Sequence, residues 1–552
     1  MTPTRTSTTV STAVAGVVAE RSAAVYGVMG NGNAYVVGHL TATGAPYVRM
    51  RHEAGTVAAA QAHFLAGGAM ATATTTYGAG FTNALTALAE ARLARVPLVL
   101  VTGEGPSSGP RWWDVDQEAL AAGLDVPVVR VPADGAASAT HYAYDLARWD
   151  RTPVVLSIPY DLATRPAGDT QGVPRGAPPD APRPTAQQSA EVAALLRGAQ
   201  RPLLLLGRGA HLAGAGPALR RVGDRFGALF ATSVTAAGVT GSPWDVGIAG
   251  GFSSPRGWEL ITAADVVLAV GISLNDFQDQ RGRLLAAARE VVQVDLGPVA
   301  THGQVTRYIR ADAAAFADAL LAAPADAAGT DPAGGTWRDR VPDAAGDLRA
   351  DLTGLPELGD DGRLDPRLVA RRLDELLPPD RALVHDGGQF VGWMPQHARV
   401  GDPSELILVG AALQTIGLGS ASAVGAARAR PDRTTVLVTG DGGGAMGLAD
   451  LVTFVREAES GVVVVFNDAA YGAELHQYGA LGVDPEGMLL DDVDFAALGR
   501  ALGVGGHRVT RLAGLDVVGE WVRAGAQGVL VVDVAVTRTL AADFIVSGRP
   551  GT

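Results

Sequence analysis

The 552-residue chain contains no cysteine. Disulfides, thiolate metal sites and thiol nucleophiles are therefore excluded. Lysine is absent as well, so all 44 basic residues are arginines. That removes Schiff-base catalysis, a pyridoxal-phosphate anchor and the phosphate-binding lysine of Walker loops. Difficult carbon chemistry here needs a cofactor that brings its own nucleophile. Apolar runs never approach the length of a membrane span. The N-terminus, MTPTRTSTTVSTAV, has one arginine and no long apolar core before a cleavage site, so a cytoplasmic location is expected. A net charge of −13 argues against nucleic acid or an anionic membrane as a main partner.

Apolar residues make up 47% and charged residues 18%, a globular composition, and the length exceeds what one hydrophobic core can organise. Two low-complexity stretches rich in Pro, Gly and Asp, Thr164 to Gln188 and Pro324 to Gly362, divide the chain. The regions they separate, 1–165, 189–323 and 363–552, each alternate apolar strands with helical patterns. This predicts three doubly wound α/β domains with mostly parallel sheets.

The stretch from Thr434 to Gly472 organises the rest. Thr434 to Thr439 is β-branched and apolar without polar alternation, as expected of a strand buried on both faces. It stops at Gly440-Asp441-Gly442-Gly443. Leu448, Leu451, Val452 and Val455 then recur at helical spacing, and Gly461 releases the chain into a second apolar strand, Val462 to Phe466. In such a βαβ unit both strands end on the edge where open α/β sheets bind ligands, and they deposit Asp441 and Asn467-Asp468 there. Hard oxygen ligands suit Mg²⁺, whose octahedron is normally completed by water and phosphate oxygens, and glycines let backbone approach those phosphates. An ordinary βαβ crossover with a glycine turn is the plainer reading of the same residues.

Other turns at predicted strand ends carry candidate site residues. Strand Ala24 to Val28 runs into Met29-Gly30-Asn31-Gly32-Asn33, and Arg51-His52-Glu53-Ala54-Gly55 leads to an alanine-rich helix, Thr56 to Ala66. Glu53 alone reads as a solvated carboxylate favoured by a helix N-terminus. Thr76-Tyr77-Gly78-Ala79-Gly80-Phe81-Thr82-Asn83 precedes a helix, Ala84 to Arg92, and strand Pro97 to Thr102 runs into a loop ending at Asp116-Gln117-Glu118. The middle region has strands at Pro202 to Gly207, Val266 to Gly271 and Val291 to Asp295. Its Gly207-Arg208-Gly209 lacks the third glycine of a dinucleotide fingerprint, because Leu212 stands there, and reads as a strand-to-helix turn. In the last region, strand Arg381 to Val384 ends in His385-Asp386-Gly387-Gly388-Gln389-Phe390, a glycine turn suited to diphosphate oxygens. Gln414-Thr415-Ile416-Gly417-Leu418-Gly419-Ser420 and Tyr471-Gly472-Ala473-Glu474-Leu475-His476 follow. Ile416 alone reads as core packing and His476 alone as a structural histidine.

GDG, a helix, Asn467-Asp468 and Tyr471-Gly472 together resemble the diphosphate-binding motif of thiamine-diphosphate-dependent enzymes, in the superfamily of acetolactate synthase, benzaldehyde lyase and the decarboxylases. Matches continue from residue 24 to 510. The resemblance implies pyrimidine-binding, central and diphosphate-binding domains in that order. It implies thiamine diphosphate at Gly30, Asn31, Thr76, Gly78, Asn83, Gly387, Gly388, Gln389, Gln414, Ile416, Gly440, Gly442, Gly443, Tyr471 and Gly472, with Ile416 wedging the cofactor into its V shape. Mg²⁺ falls to Asp441, Asp468 and the Ala470 carbonyl, with Asn467 as the fallback ligand because aspartate replaces the family's usual second asparagine. Glu53 is placed to activate the aminopyrimidine, and Gln117 and His476 to face substrate. The family's Arg-x-Asp-Asp stretch, associated with a non-redox FAD, appears only as Ser273-Leu274-Asn275-Asp276, which leaves FAD open. The implied chemistry is attack on a 2-oxo acid such as pyruvate, loss of CO₂ and transfer of the acyl carbanion to a carbonyl acceptor, in a homodimer or homotetramer whose subunits share each site. A decarboxylase that protonates the carbanion, a benzaldehyde-lyase-type lyase and a cyclic-dione hydrolase, the last suggested by Gly30-x-Gly32-Asn33, stay open. So does an inactive cofactor-binding subunit, although Glu53 is present.

Overall fold

The computed structural model describes residues 8–168, 180–324, 335–542 and 544–545. Parts of the two low-complexity stretches, 169–179 and 325–334, and the first seven residues lie outside the described residues. Three six-stranded sheets follow one another along the chain, and every strand pair in them is parallel. In the first, β1 (Val25–Gly27), β2 (Tyr47–Arg49), β3 (Thr72–Thr75), β4 (Leu98–Glu104), β5 (Val128–Arg130) and β6 (Pro153–Pro159) are ordered β2-β1-β3-β4-β6-β5. The second contains β7 (Pro202–Leu206), β8 (Leu229–Thr232), β9 (Asp245–Ile248), β10 (Val266–Val270), β11 (Glu290–Asp295) and β12 (Arg307–Arg310), ordered β12-β11-β10-β7-β8-β9. The third contains β13 (Arg381–His385), β14 (Leu406–Leu408), β15 (Thr434–Gly440), β16 (Ser460–Asn467), β17 (Gly505–Val509) and β18 (Gly528–Ala535), ordered β14-β13-β15-β16-β18-β17.

These orders place a reversal of winding between β1 and β3, between β7 and β10, and between β13 and β15, and such switch points open crevices at the carboxyl edge. The first and third crevices are flanked by the glycine turns after β1 and β3 and after β13 and β15. The second is closed by its own backbone. The Gly209 amide donates to the Gly271 carbonyl at 2.9 Å, and a Cβ on Gly207 would lie 2.2 Å from that carbonyl. Gly207 to Gly209 is thus a strand-to-helix turn into the Arg208–Leu212 helix.

The outer sheets are joined through one shared core. The Glu53–Gly67 helix lies along the Gly419–Ala429 helix with both running in the same direction. A Cβ on Gly55 would meet Ala421 at 3.2 Å, one on Gly67 would meet Ala429 at 3.3 Å, and one on Gly425 would strike the Ala59 carbonyl at 2.0 Å. Alanine and glycine at these positions let the backbones approach closely, and Ala58, Ala59, Ala62, Ala423 and Val424 are fully buried between the sheets.

Four sequence expectations are corrected. The glycines after β15 are helical, in an Asp441–Met446 helix that begins where the strand ends. The following helix, Leu448–Glu457, is capped at Ala458, and Gly461 lies inside β16. Glycine is required there because a Cβ would sit 2.8 Å from the Phe454 ring. That helix buries Asp450, Leu451, Thr453 and Phe454, while Val452 is exposed. Within the second low-complexity stretch, Trp337 and Ala344 are buried in the core of the central sheet. Among the described residues no helix is long and apolar enough to cross a membrane.

Candidate functional site

At the carboxyl edge of the third sheet, Asp441 occupies the first turn of its helix and Asp468 follows β16 directly. Both are almost fully buried, 5% and 6% exposed, and within hydrogen-bonding reach of one another. Burial raises both carboxyls well above the ordinary range, and the charge of Asp441 raises Asp468 further. Asp468 accepts from Gln389 Nε2 at 3.2 Å and from the Ala470 amide at 3.2 Å, the turn being made by Ala469 at φ 53°. Asp441 Oδ2 is buried without a hydrogen-bond partner. Two adjacent buried carboxylates, one with an orphaned oxygen, form a donor set that a hard divalent cation satisfies. Among the described residues no group of three or more His, Cys, Asp or Glu side chains is arranged to hold a metal. These two carboxylates are therefore the acidic side chains a cation could use here. Asn467 is fully buried and engaged elsewhere: its amide nitrogen donates to Asp533 and Val493 at 3.0 Å, and its oxygen accepts from Ala469 N.

The other predicted diphosphate-side residues surround this pair, and the glycines are placed where side chains would collide. A Cβ on Gly442 would meet the Tyr471 ring, one on Gly443 Asp386 Oδ2, one on Gly472 both Asp468 and Gln389, and one on Gly440 the Phe390 ring. Gly387 lies against Ile416 and the Thr415 carbonyl, and Gly388 has φ 138°. Gln414 is exposed at φ 62°. His476 is half-buried in the Gly472–Gln477 helix that follows Tyr471. Beneath these turns lies Asp386, buried and pushed up to about 6 by its burial, which accepts from Gly387 N at 2.8 Å, Gly417 N at 2.9 Å and Thr439 Oγ1 at 3.2 Å.

The pyrimidine-side residues form a second cluster at the edge of the first sheet. Glu53 begins its helix, three residues earlier than expected, with His52 as N-cap. Its Oε2 accepts from Asn83 Nδ2 at 3.1 Å, and Oε1 lies near Gly80. Gly30, Gly32 and Gly103 pack directly on Thr76, Tyr77 and one another, and Gly32 N donates to Thr76 Oγ1 at 2.9 Å. Asn31 is exposed and donates to the Tyr77 hydroxyl at 2.9 Å. Gln117 is buried; its Oε1 accepts from Gly78 N at 2.8 Å and its Nε2 donates to the Gly103 carbonyl at 2.9 Å. Among the described residues, no hydrogen bond joins Glu53 or Gln117 to the Asp441 and Asp468 pair, and the side-chain hydrogen bonds of Glu53 and Gln117 stay within the first sheet's turns.

Sequence reasoning missed three buried carboxylates that hold these clusters in place: Asp386, Glu90 and Asp450. Glu90 accepts from Gly410 N at 2.9 Å, Ala412 N at 3.3 Å and Leu413 N at 2.6 Å, directly before Gln414. Asp450 accepts from Arg51 N at 2.8 Å, two residues before Glu53, and burial pushes it up to about 6. The available signal was an acidic residue set within an otherwise apolar helical face, as at Glu90 and Asp450.

Three family descriptions match successive parts of the chain: "Thiamine pyrophosphate enzyme, N-terminal TPP binding domain" over residues 8–124, the central domain over 189–322, and the C-terminal TPP binding domain over 386–534. The acetolactate synthase large subunit of Parasynechococcus marenigrum is 29% identical over 494 residues, covering 84% of this chain and 76% of that protein. A Pseudomonas aeruginosa protein described as "Probable 2-ketoarginine decarboxylase AruI" is 28% identical over 513 residues, covering 91% and 89%. The acetolactate synthase isozyme 2 large subunit of Escherichia coli is 26% identical over 481 residues, covering 85% and 84%.

Proposed function

Because the chain belongs to the thiamine pyrophosphate enzymes, we propose that it is a thiamine-diphosphate- and Mg²⁺-dependent carboligase that decarboxylates a pyruvate-like 2-oxo acid and passes the acyl unit to a second carbonyl. The observation that carries this reading is the buried Asp441 and Asp468 pair at a switch-point crevice lined by glycines. When bound, thiamine diphosphate supplies the carbanion-stabilising centre that side chains cannot. Asp441, Asp468 and the Ala470 carbonyl would hold Mg²⁺, and the turns at Gly387-Gly388-Gln389 and Gly440 to Gly443 would cradle the diphosphate. Ile416, packed against Gly387, would press on the bound cofactor from the diphosphate side. Glu53 holds and moves a proton at the aminopyrimidine nitrogen, oriented by Asn83. With both ends of its amide engaged by Gly78 and Gly103, Gln117 shapes the pyrimidine-side turn beside the substrate, and His476 borders the substrate from the diphosphate side.

Domain limits at 1–165, 189–323 and 363–552 belong to the same reading. So does a homodimer or homotetramer, since Glu53 stays within the first sheet's turns and a second chain would bring one cluster to the other. A decarboxylase that protonates the carbanion is the second reading, supported by the length of the match to the 2-ketoarginine decarboxylase relative. Mass spectrometry of products from a panel of 2-oxo acids, 2-ketoarginine included, with and without aldehyde acceptors, separates the two. A product enlarged by the acceptor supports ligation, CO₂ plus aldehyde alone supports the second reading, and no turnover of any 2-oxo acid overturns both. Independently, Glu53→Gln should slow hydrogen–deuterium exchange at the thiazolium C2 of the bound cofactor by roughly 10² to 10⁴. Exchange at the parent rate would remove Glu53 from the mechanism.

A further inference from the structure

Residues 105–116, between β4 and the Gln117–Gly123 helix, are tied down near their start by Ser107 on Asp161 and in their middle by Arg111. The Arg111 guanidinium lies 4.8 Å from the Tyr77 ring centroid, 5.0 Å from that of Tyr160 and 5.1 Å from that of Trp113. Tyr77 and Tyr160 meet edge to face at 6.1 Å. In the same position Arg111 donates from Nε and Nη2 to Asp114 at 3.0 and 2.9 Å, and its backbone amide donates to Asp114 at 2.7 Å. A planar guanidinium satisfies both demands at once, stacking on rings while its edge makes a bidentate pair. The rings belong to three different segments. Tyr77 precedes Gly78 in the pyrimidine-side turn and binds Asn31 through its hydroxyl. Tyr160 follows β6, beside Asp161, which accepts from Ser107 N at 2.7 Å and Ser107 Oγ at 2.6 Å. Trp113 lies within the anchored segment itself. Trp112, next to the anchor, is 90% exposed.

We infer that Arg111 is a positioning residue for the substrate side of the site, fixing segment 105–116 against the pyrimidine-side turn so that Gln117 keeps its place beside Gly78. This rests on the functional reading above for its substrate part, while the anchoring stands on geometry alone. Thr76 and Glu53 have holds outside the segment, from Gly32 N and Asn83 Nδ2, so loosening the segment should disturb substrate more than cofactor. The charge must be delivered as a planar fork, which lysine cannot supply.

Two variants test this in the full chain. Arg111→Met should speed backbone hydrogen–deuterium exchange across residues 104–117 about tenfold or more. It should also raise KM for the 2-oxo acid on the order of tenfold, leave kcat within about threefold, and leave thiamine diphosphate affinity within about threefold. Arg111→Lys should fall between parent and Arg111→Met in both exchange and KM. Unchanged exchange in Arg111→Met overturns the anchoring. Faster exchange with unchanged KM overturns the positioning role, and an equal loss of cofactor affinity reduces Arg111 to a general structural support. If no panel substrate is turned over, the functional reading fails and takes the substrate part with it, while the exchange measurement still decides the anchoring.

Discussion

Replacing Gly425 by alanine sets two known effects against each other. Alanine in a helix interior is favoured over glycine by about 1 kcal/mol. At Gly425, however, the new Cβ would lie 2.0 Å from the carbonyl oxygen of Ala59 and 2.8 Å from its carbon. The obstacle is backbone inside the Glu53–Gly67 helix, so no rotamer change relieves it. Reaching ordinary contact near 3.4 Å requires the two helices to part by more than an ångström. A gap of that size forfeits a large share of the dispersion energy of the atoms lining it, and with overpacking strain the cost is about 3–4 kcal/mol. The expected net loss is about 2–3 kcal/mol, or roughly 4–6 °C in the apparent unfolding midpoint at on the order of 2 °C per kcal/mol. The matched control is Gly16→Ala in the Val10–Arg21 helix, where the position is exposed and nothing lies within 4 Å of the added Cβ. It should gain about 0.5–1 kcal/mol from propensity alone. Scanning calorimetry of both variants beside the parent measures the two shifts. If Gly425→Ala raises the midpoint as Gly16→Ala does, the close approach of these helices is wrong.

Asp441→Asn should stabilise the metal-free protein at pH 8 relative to the parent. Burial holds the folded carboxyl above its unfolded value of 3.8, so the folded parent binds more protons and loses stability as pH rises from about 4 to about 7. Thermal scans in chelator at pH 4 and pH 8 should show the advantage only at pH 8, and an equal advantage at both would refute the linkage. Added Mg²⁺ with thiamine diphosphate should raise the parent's midpoint and not that of Asp441→Ala, since a ligand stabilises only the state it binds. Sedimentation velocity at micromolar concentration should show a dimer or tetramer, and a fully active monomer would refute the shared site.

The legible parts of the sequence were those whose physics is local. Strands buried on both faces announce themselves as uninterrupted apolar runs, and β15 and β16 do so. Strand order and the switch points are not local, yet the oxygen-bearing residues at strand ends marked the carboxyl edge correctly. What could not be read depends on distant neighbours. Gly461 looks like a helix stop and is a strand residue pressed by Phe454. Gly442, Gly443 and Gly444 look like a loop but lie in a helix, and they are glycine because Tyr471, Asp386 and Phe495 occupy the space side chains would take. The role of Asn467 is decided by Asp533, 66 residues away, and Trp337 joins a core through a stretch whose composition reads as linker.

The buried carboxylates Glu90 and Asp450 show how the two clusters are spaced. Each belongs to one half of the molecule and binds backbone amides in the other, 399 residues apart for Asp450 and Arg51 and 320 for Glu90 and Gly410. The amides they choose lie just ahead of the segments that matter, Arg51 before Glu53 and Leu413 before Gln414 and Ile416. Neither half therefore sets the position of its own segment alone. A carboxylate buried against several amides tolerates little displacement, because leaving any of those donors unpaired costs about 1–3 kcal/mol. The small-residue helix contact at Gly55, Ala59 and Gly425 fixes the distance between the halves, and the two carboxylates fix the register along it. Glu53 and Ile416 are consequently held as parts of one rigid frame while remaining at separate edges.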